Sequence, residues 1–195
     1  LLIIFKQDNY LSKDVDPRLR EDDVFFGTWK LKNMLVIISD SHDNIVNLDK
    51  ALAFAKTNDA EGILHCGDLT NSDTLDYLCA EWTKPLYLVQ GNCEIYEVGE
   101  LKKYPQIINL GREGGIFKYH DIKIGACHEP KFIENLLIHE PAFIFYGHTH
   151  TPWEEQRGKT RVINPGNLDG SRYPATLATY DQESKDLKLV LLSSL

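Results

Sequence analysis

Three unbroken apolar runs in the first half of the chain stop at short polar clusters. Leu35 to Ile38 runs into Ser39, Asp40, Ser41, His42, Asp43 and Asn44. Gly62 to Cys66 runs into Gly67, Asp68 and Leu69, and Pro85 to Val89 into Gln90, Gly91, Asn92, Cys93 and Glu94. Continuous runs of this kind predict strands buried on both faces, as in an α/β sheet. Helical spacing fills the intervals. Leu48, Leu52 and Ala55 share a face, with Asp43 or Asn44 as N-cap; Leu75, Leu78 and Cys79 share another, over Ser72 to Trp82. Alternation of strand and helix implies right-handed crossovers that carry the polar loops to a common edge.

The pattern then changes to shorter runs. Gln106 to Leu110, Gly114 to Tyr119 and Ile122 to Ala126 read as strands, the last two joined as a hairpin at His120 and Asp121. Phe132 to Ile138 reads as a short helix. Ala142 to Tyr146 is another buried strand, ending in Gly147, His148, Thr149 and His150; Arg161 to Asn164, Leu177 to Asp181 and Leu187 to Leu192 complete the set. A parallel first half and a mostly antiparallel second half predict an α/β fold of two packed mixed β-sheets flanked by helices.

Residues 1–33 show neither period. Six basic and six acidic residues cancel there, and the only methionine of the chain is Met34, at the start of the first clear strand. The functional domain is expected to span 34–195, with 1–33 a non-native or disordered extension.

Composition adds limits. The 195 residues are 43% hydrophobic and 26% charged, in keeping with an ordinary globular domain. A net charge of −8 argues against a general nucleic-acid or anionic-membrane surface. A small phosphorylated substrate fits if bound cations supply positive charge, and a homo-oligomer is compatible with the chain. Cys66, Cys79, Cys93 and Cys127 form no CxxC pair, which suits a reducing compartment. The apolar opening, Leu1 to Phe5, is too short for a signal core or a membrane span. A cytoplasmic location is expected.

Taken singly, Asp40 and His42 after a strand are as readily a capped turn as half of a metal site. Five strand ends together decide differently. They offer Asp40 and His42, Asp68, Asn92, His128, and His148 with His150. Imidazole, carboxylate and amide oxygen together suit Mn, Fe, Ni, Co or Zn. Seven such groups are too many for one ion and fit two.

Asp40-x-His42, Gly67-Asp68, Gly91-Asn92, a lone His128 and Gly147-His148-x-His150 resemble the signature of the calcineurin-like metallophosphoesterases. The short length, the run Ser39 to Asn44, Gly91-Asn92-Cys93 and Ile163-Asn164-Pro165-Gly166 resemble its small YfcE-like phosphodiesterase branch, which also includes the retromer scaffold subunit. The resemblance covers Met34 to about Asp181. It implies that Asp40, His42 and His150 hold a first divalent metal, Mn foremost, and that Asn92, His128 and His148 hold a second. Asp68 would bridge both, with Asp68, Asn92 and His148 at the reacting phosphate and a hydroxide between the metals as nucleophile. An inactive interaction scaffold of the same fold is the alternative. It is disfavoured because all four of His42, His128, His148 and His150 are present.

Two places depart from the family pattern. Cys93 stands where many relatives carry a leaving-group histidine, and a thiol with ordinary pKa near 8.5 is a weaker proton donor. Around His128 the run is Cys127, His128, Glu129, Pro130, so only the first histidine of the usual pair has a counterpart, and Glu129 adds negative charge. Asn167 replaces a serine and reads as a loop detail, with Arg172 a phosphate or structural contact. His65, Cys66, Cys127 and Trp82 read as core residues, and His120 and His139 as surface ones. Trp153 is a candidate ring-pocket residue, while Arg157, Lys159 and Arg161 read as a solvated hairpin.

Overall fold

The computed structural model describes residues 3, 4 and 33–195. The expected extension over 1–33 therefore lies almost wholly outside the described residues. Strand β1 is the pair Ile3–Ile4. β2 (Met34–Ile38), β3 (Gly62–His65) and β4 (Leu86–Val89) are the three apolar runs. Helix α1 (Ile45–Thr57) follows β2, and α2 (Ser72–Glu81) follows β3. Asn44 caps α1 by accepting from the Asn47 N–H, and Asn71 caps α2 through the Thr74 N–H.

Chain order continues through β5 (Ile107–Gly111), β6 (Gly115–Tyr119), β7 (Ile122–Ala126), α3 (Ile133–Leu137), β8 (Phe143–Phe145), β9 (Trp153–Arg157), β10 (Thr160–Asn164), β11 (Thr176–Asp181) and β12 (Leu187–Leu191). The first sheet has the order β1-β12-β11-β2-β3-β4-β5, and the second β6-β7-β8-β10-β9. β2 to β5 are mutually parallel, whereas β11 and β12 join antiparallel. In the second sheet β8 runs parallel to both β7 and β10. The second half is thus less antiparallel than its short runs suggest, because β7 reaches β8 through α3 rather than through a hairpin.

Alternate residues of β2 explain the layering. Met34, Val36 and Ile38 pack with Leu48, Leu52, Leu75 and Leu78 of the helices. Leu35 and Ile37 pack with Phe117, Ile124, Phe145 and Ile163 of the second sheet. Every one of these side chains is buried. One strand is therefore apolar on both faces because it lies between a helical layer and a sheet. The parallel strands β2, β3, β4 and β8 all end at one rim, where the two sheets meet.

Candidate metal centre

All seven expected groups converge at that rim. β2 delivers Asp40 and His42, β3 delivers Asp68, β4 delivers Asn92, β7 delivers His128, and β8 delivers His148 and His150. The first sheet thus contributes four groups and the second sheet three histidines.

Distances divide them into two sets. His150 Nε2 lies 3.2 Å from Asp40 Oδ1 and 3.2 Å from His42 Nε2. Asn92 Oδ1 lies 3.0 Å from His128 Nε2 and 2.8 Å from His148 Nδ1. Asp68 stands between the sets, its Oδ2 being 3.6 Å from His42 Nε2 and 3.3 Å from His128 Nε2. Ligand atoms of Asp40, His42 and His150 all fall within 4.8 Å of one another, as do those of Asp40, Asp68 and His128.

Hydrogen-bond bookkeeping shows that this cluster suits a cation. His128 Nδ1 is 2.9 Å from the Cys66 carbonyl, which can only accept, so Nδ1 carries the hydrogen. In the neutral ring Nε2 then presents a lone pair toward Asp68 Oδ2 and Asn92 Oδ1. Three acceptors facing one another need a positive charge among them. A proton is one solution: burial lowers the His128 pKa, but the hydrogen bond to Asp68 and the charges of Asp40 and Asp68 outweigh it and raise it. A metal ion is the other, and the backbone bond at Nδ1 fixes the tautomer it requires. The hydrogen bond to Asp40 likewise raises His150. Burial pushes the Asp68 carboxyl upward, yet His128, the Cys93 N–H and the His42 charge hold it well below the carboxylate range.

The backbone is shaped for this convergence. Asp40, His42, Asp68, His148 and His150 all adopt positive φ, between 42° and 69°. L-residues rarely do so, and such positions gather at functional sites where surrounding contacts hold them. The left-handed kinks turn each chain sharply as it leaves its strand. The glycines before three of these groups have a steric reason. A Cβ on Gly91 would lie 2.0 Å from Asp68 Oδ1, and one on Gly147 would lie 2.1 Å from Ser39 Oγ and 2.7 Å from Asp40 Oδ2. Gly67, at φ +102°, would meet His128 Nδ1 at 2.7 Å.

Several supporting residues were not recognised from the sequence. Glu94 accepts from the N–H groups of Leu69, Thr70 and Gly91, tying the β3 and β4 loops together. Ser39 donates to Asp40 Oδ2. The Asn164 amide donates to the Gly147 carbonyl and the Thr149 hydroxyl. Asn167 does more than finish a loop: it donates to the His150 carbonyl at 3.0 Å and accepts from the Gly170 N–H. Ser39 and Asn164 stand in the sequence only as members of motif runs, Asn167 only as a loop detail and Glu94 only as a neighbour of Asn92.

The other readings resolve individually. His65 is buried; its Nδ1 accepts from the Gly67 N–H, and its Nε2 meets the Ser41 hydroxyl. Cys66 and Cys127 are buried, as is Trp82, whose indole donates to the Pro85 carbonyl. His120 pairs with Glu61, and His139 is exposed. Trp153 is exposed and does not line the cavity at the site. Arg157 pairs with Glu134 and Glu155, and Arg161 with Glu154. Glu129 is engaged by Arg112 and Lys131, so its charge beside the site is offset.

A two-sheet α/β sandwich whose strand ends gather carboxylates, histidines and an asparagine at one rim defines a metallophosphoesterase. Residues 34–185 match the calcineurin-like phosphoesterase superfamily domain, and the chain belongs to that family. Among its relatives is a probable metallophosphoesterase of Methanocaldococcus jannaschii, 30% identical over 152 residues, covering 72% of this chain and 71% of that protein. A phosphodiesterase of the same organism is 26% identical over 164 residues, covering 80% and 97%. The fold resembles that of a solved archaeal phosphodiesterase, with TM-score 0.71 and 23% identity over 81% of this chain and 99% of that one. It also resembles the phosphoesterase Yfce of E. coli, with TM-score 0.56 and 18% identity over 82% and 99%. Vps29 of Entamoeba histolytica, solved with zinc, has TM-score 0.59 and 17% identity over 80% and 89%.

Proposed function

We propose that this protein is a metal-dependent phosphodiesterase acting on a small phosphate ester, with residues 34–195 as its catalytic unit. Asp40, His42 and His150 would hold one divalent cation, and Asn92, His128 and His148 a second. Asp68 would contact both. The supporting observation is the position of Asp68 Oδ2, one carboxylate oxygen that faces both histidine sets. When bound, two such cations stabilise charge on phosphoryl oxygens and can lower the pKa of water from 15.7 to about 7. Mn suits this mixture of donors, as do Fe, Ni, Co and Zn.

The chain's own groups account for the rest. Asp68 is held ionised by its neighbours and fixed by the Cys93 N–H, 2.8 Å from Oδ1. Asp40 is fixed on its other side by the His148 N–H, at 3.1 and 3.2 Å from its two oxygens. Asn92 and His148 stand at the exposed side of the centre, where they can orient the phosphate. Burial and the Asp68 charge raise the Cys93 thiol, so it stays protonated at neutral pH as a weak donor beside the leaving group. The full set of histidines favours turnover over a purely scaffolding role.

Hydrolysis of bis-p-nitrophenyl phosphate tests this reading. Wild-type protein should turn it over with added Mn and stop with chelator, and Asp68→Asn should lose at least a hundredfold. Well-folded wild-type protein without Mn-dependent turnover would overturn it.

A further inference from the structure

A cavity of about 320 Å³ lies over the candidate centre and is lined by Asp68, Asn92, His148, His150, Ser171 and Arg172, among others. Arg172 is exposed and, among the described residues, makes no ion pair or hydrogen bond. The segment that carries it is nevertheless held firmly. The N–H groups of Leu168 and Asp169 donate to the carbonyls of Ser39 and Asp40. The side chains of Asn44 and Asn47 donate to the carbonyls of Asp169 and Leu168. Asn167 grips the His150 carbonyl, and the Thr176 N–H returns to the Asn167 carbonyl. The cation thus sits on a loop anchored to the same residues that form the centre. The nearby Asp169 accepts from the Ser171 hydroxyl and faces His150, and it does not pair with Arg172.

Charge counting assigns Arg172 a partner. Two divalent cations bring four positive charges, and Asp40 with Asp68 offset two. A diester monoanion and the hydroxide that attacks it match the remaining two, which leaves the guanidinium over. The cavity's rings are histidines only, so an arm of the ester meets polar groups there rather than an aromatic clamp.

We propose, building on the phosphodiesterase reading, that Arg172 is a specificity-determining residue that selects diesters with a second anionic group, a carboxylate or further phosphate, on one arm. Guanidinium pairs well with such groups through charge-assisted, often paired hydrogen bonds. The scissile phosphate itself is left to the centre.

Equilibrium binding to the Mn-loaded full chain, measured by calorimetry, tests the assignment without requiring turnover. Dipropyl phosphate and bis(3-carboxypropyl) phosphate differ only in their carboxylates, and their alkoxide leaving groups keep cleavage slow during the titration. Wild type should favour the carboxylated ester by about tenfold or more, a preference that shrinks with added salt. Arg172→Ala should abolish the preference, Arg172→Lys should keep part of it, and Arg172→Glu should reverse it. An equal loss for both esters in Arg172→Ala would mean that the guanidinium grips the central phosphate, and the proposal fails. An unchanged preference also refutes it. Failure of both esters to bind wild type would remove the diesterase reading together with this one, whereas binding of both without preference removes this one alone.

Discussion

Replacing Gly91 by alanine puts one methyl group into the tightest contact of the centre. The new Cβ would lie 2.0 Å from Asp68 Oδ1 and 2.2 Å from the Asp68 backbone nitrogen. Relative to an ordinary contact of 3.4 Å, the first falls short by about 1.4 Å. One of the two partners is backbone, so rotation of the Asp68 side chain cannot relieve the clash alone. The β3 and β4 loops must separate, yet Glu94 binds both and the Cys93 N–H holds Asp68 Oδ1. Overpacking of this kind costs about 1–3 kcal/mol, with loss of the Cys93 bond adding about 1 kcal/mol. At 25 °C, 2 kcal/mol corresponds to roughly a thirtyfold change in an equilibrium constant. Gly91→Ala should therefore lower the melting temperature of the metal-free protein by several degrees. It should also weaken Mn binding at least tenfold, because Asp68 would contact both cations of the proposed centre. Calorimetric unfolding without metal and Mn titration followed by electron paramagnetic resonance give the two values. A variant with wild-type melting and wild-type affinity for two Mn ions would refute the steric account of this glycine.

Two further outcomes follow from single side chains. Burial lowers the His65 pKa from 6.5 to about 4, so the folded protein keeps it neutral where the unfolded chain takes up a proton. Its contribution is complete above pH 6.5 and is lost as pH falls toward 4, about 3 kcal/mol over that window. Urea unfolding of metal-free wild type and His65→Gln at pH 7.5 and pH 4.5 should show a smaller pH effect in the variant; equal slopes would contradict the assignment. Cys93→His should accelerate hydrolysis of alkyl esters, which need leaving-group protonation, at least tenfold more than that of p-nitrophenyl esters. Parallel changes in both rates would mean that position 93 does not serve the leaving group.

The sequence was most legible where chemistry and periodicity coincide. Apolar runs ending in Asp40, Asp68, Asn92 and His148 placed the strands and the site together, since a buried parallel strand must end in a loop and the loops share a rim. What it hid were relations across the chain. β9 is polar on both faces, with no buried residue among Trp153 to Arg157, so it has no period to find and exists through pairing with β10. β5 is exposed at Ile108 and Asn109 and lies at an edge, and nothing local joins it to the first sheet rather than the second. Glu94 stands in the sequence only as the last member of a polar cluster, because its three backbone donors come from two different loops. The left-handed backbone at Asp40, His42, Asp68, His148 and His150 is equally silent in sequence, since Asp and His adopt it more often than most residues yet still only in a small minority of places.

The two sheets supply different parts of the centre, Asp40, His42, Asp68 and Asn92 from one and His128, His148 and His150 from the other. Each set of three proposed ligands draws on both leaves, so ions held by the full sets would act as a clasp that closes once the leaves are docked. Any ion captured by the native form and not by the parted leaves adds RT ln(1 + [M]/Kd) to the free energy of parting them. Cation supply would then govern not only turnover but the mechanical integrity of the sandwich, with slow hydrogen exchange along β2, β3 and β8 serving as a gauge of occupancy.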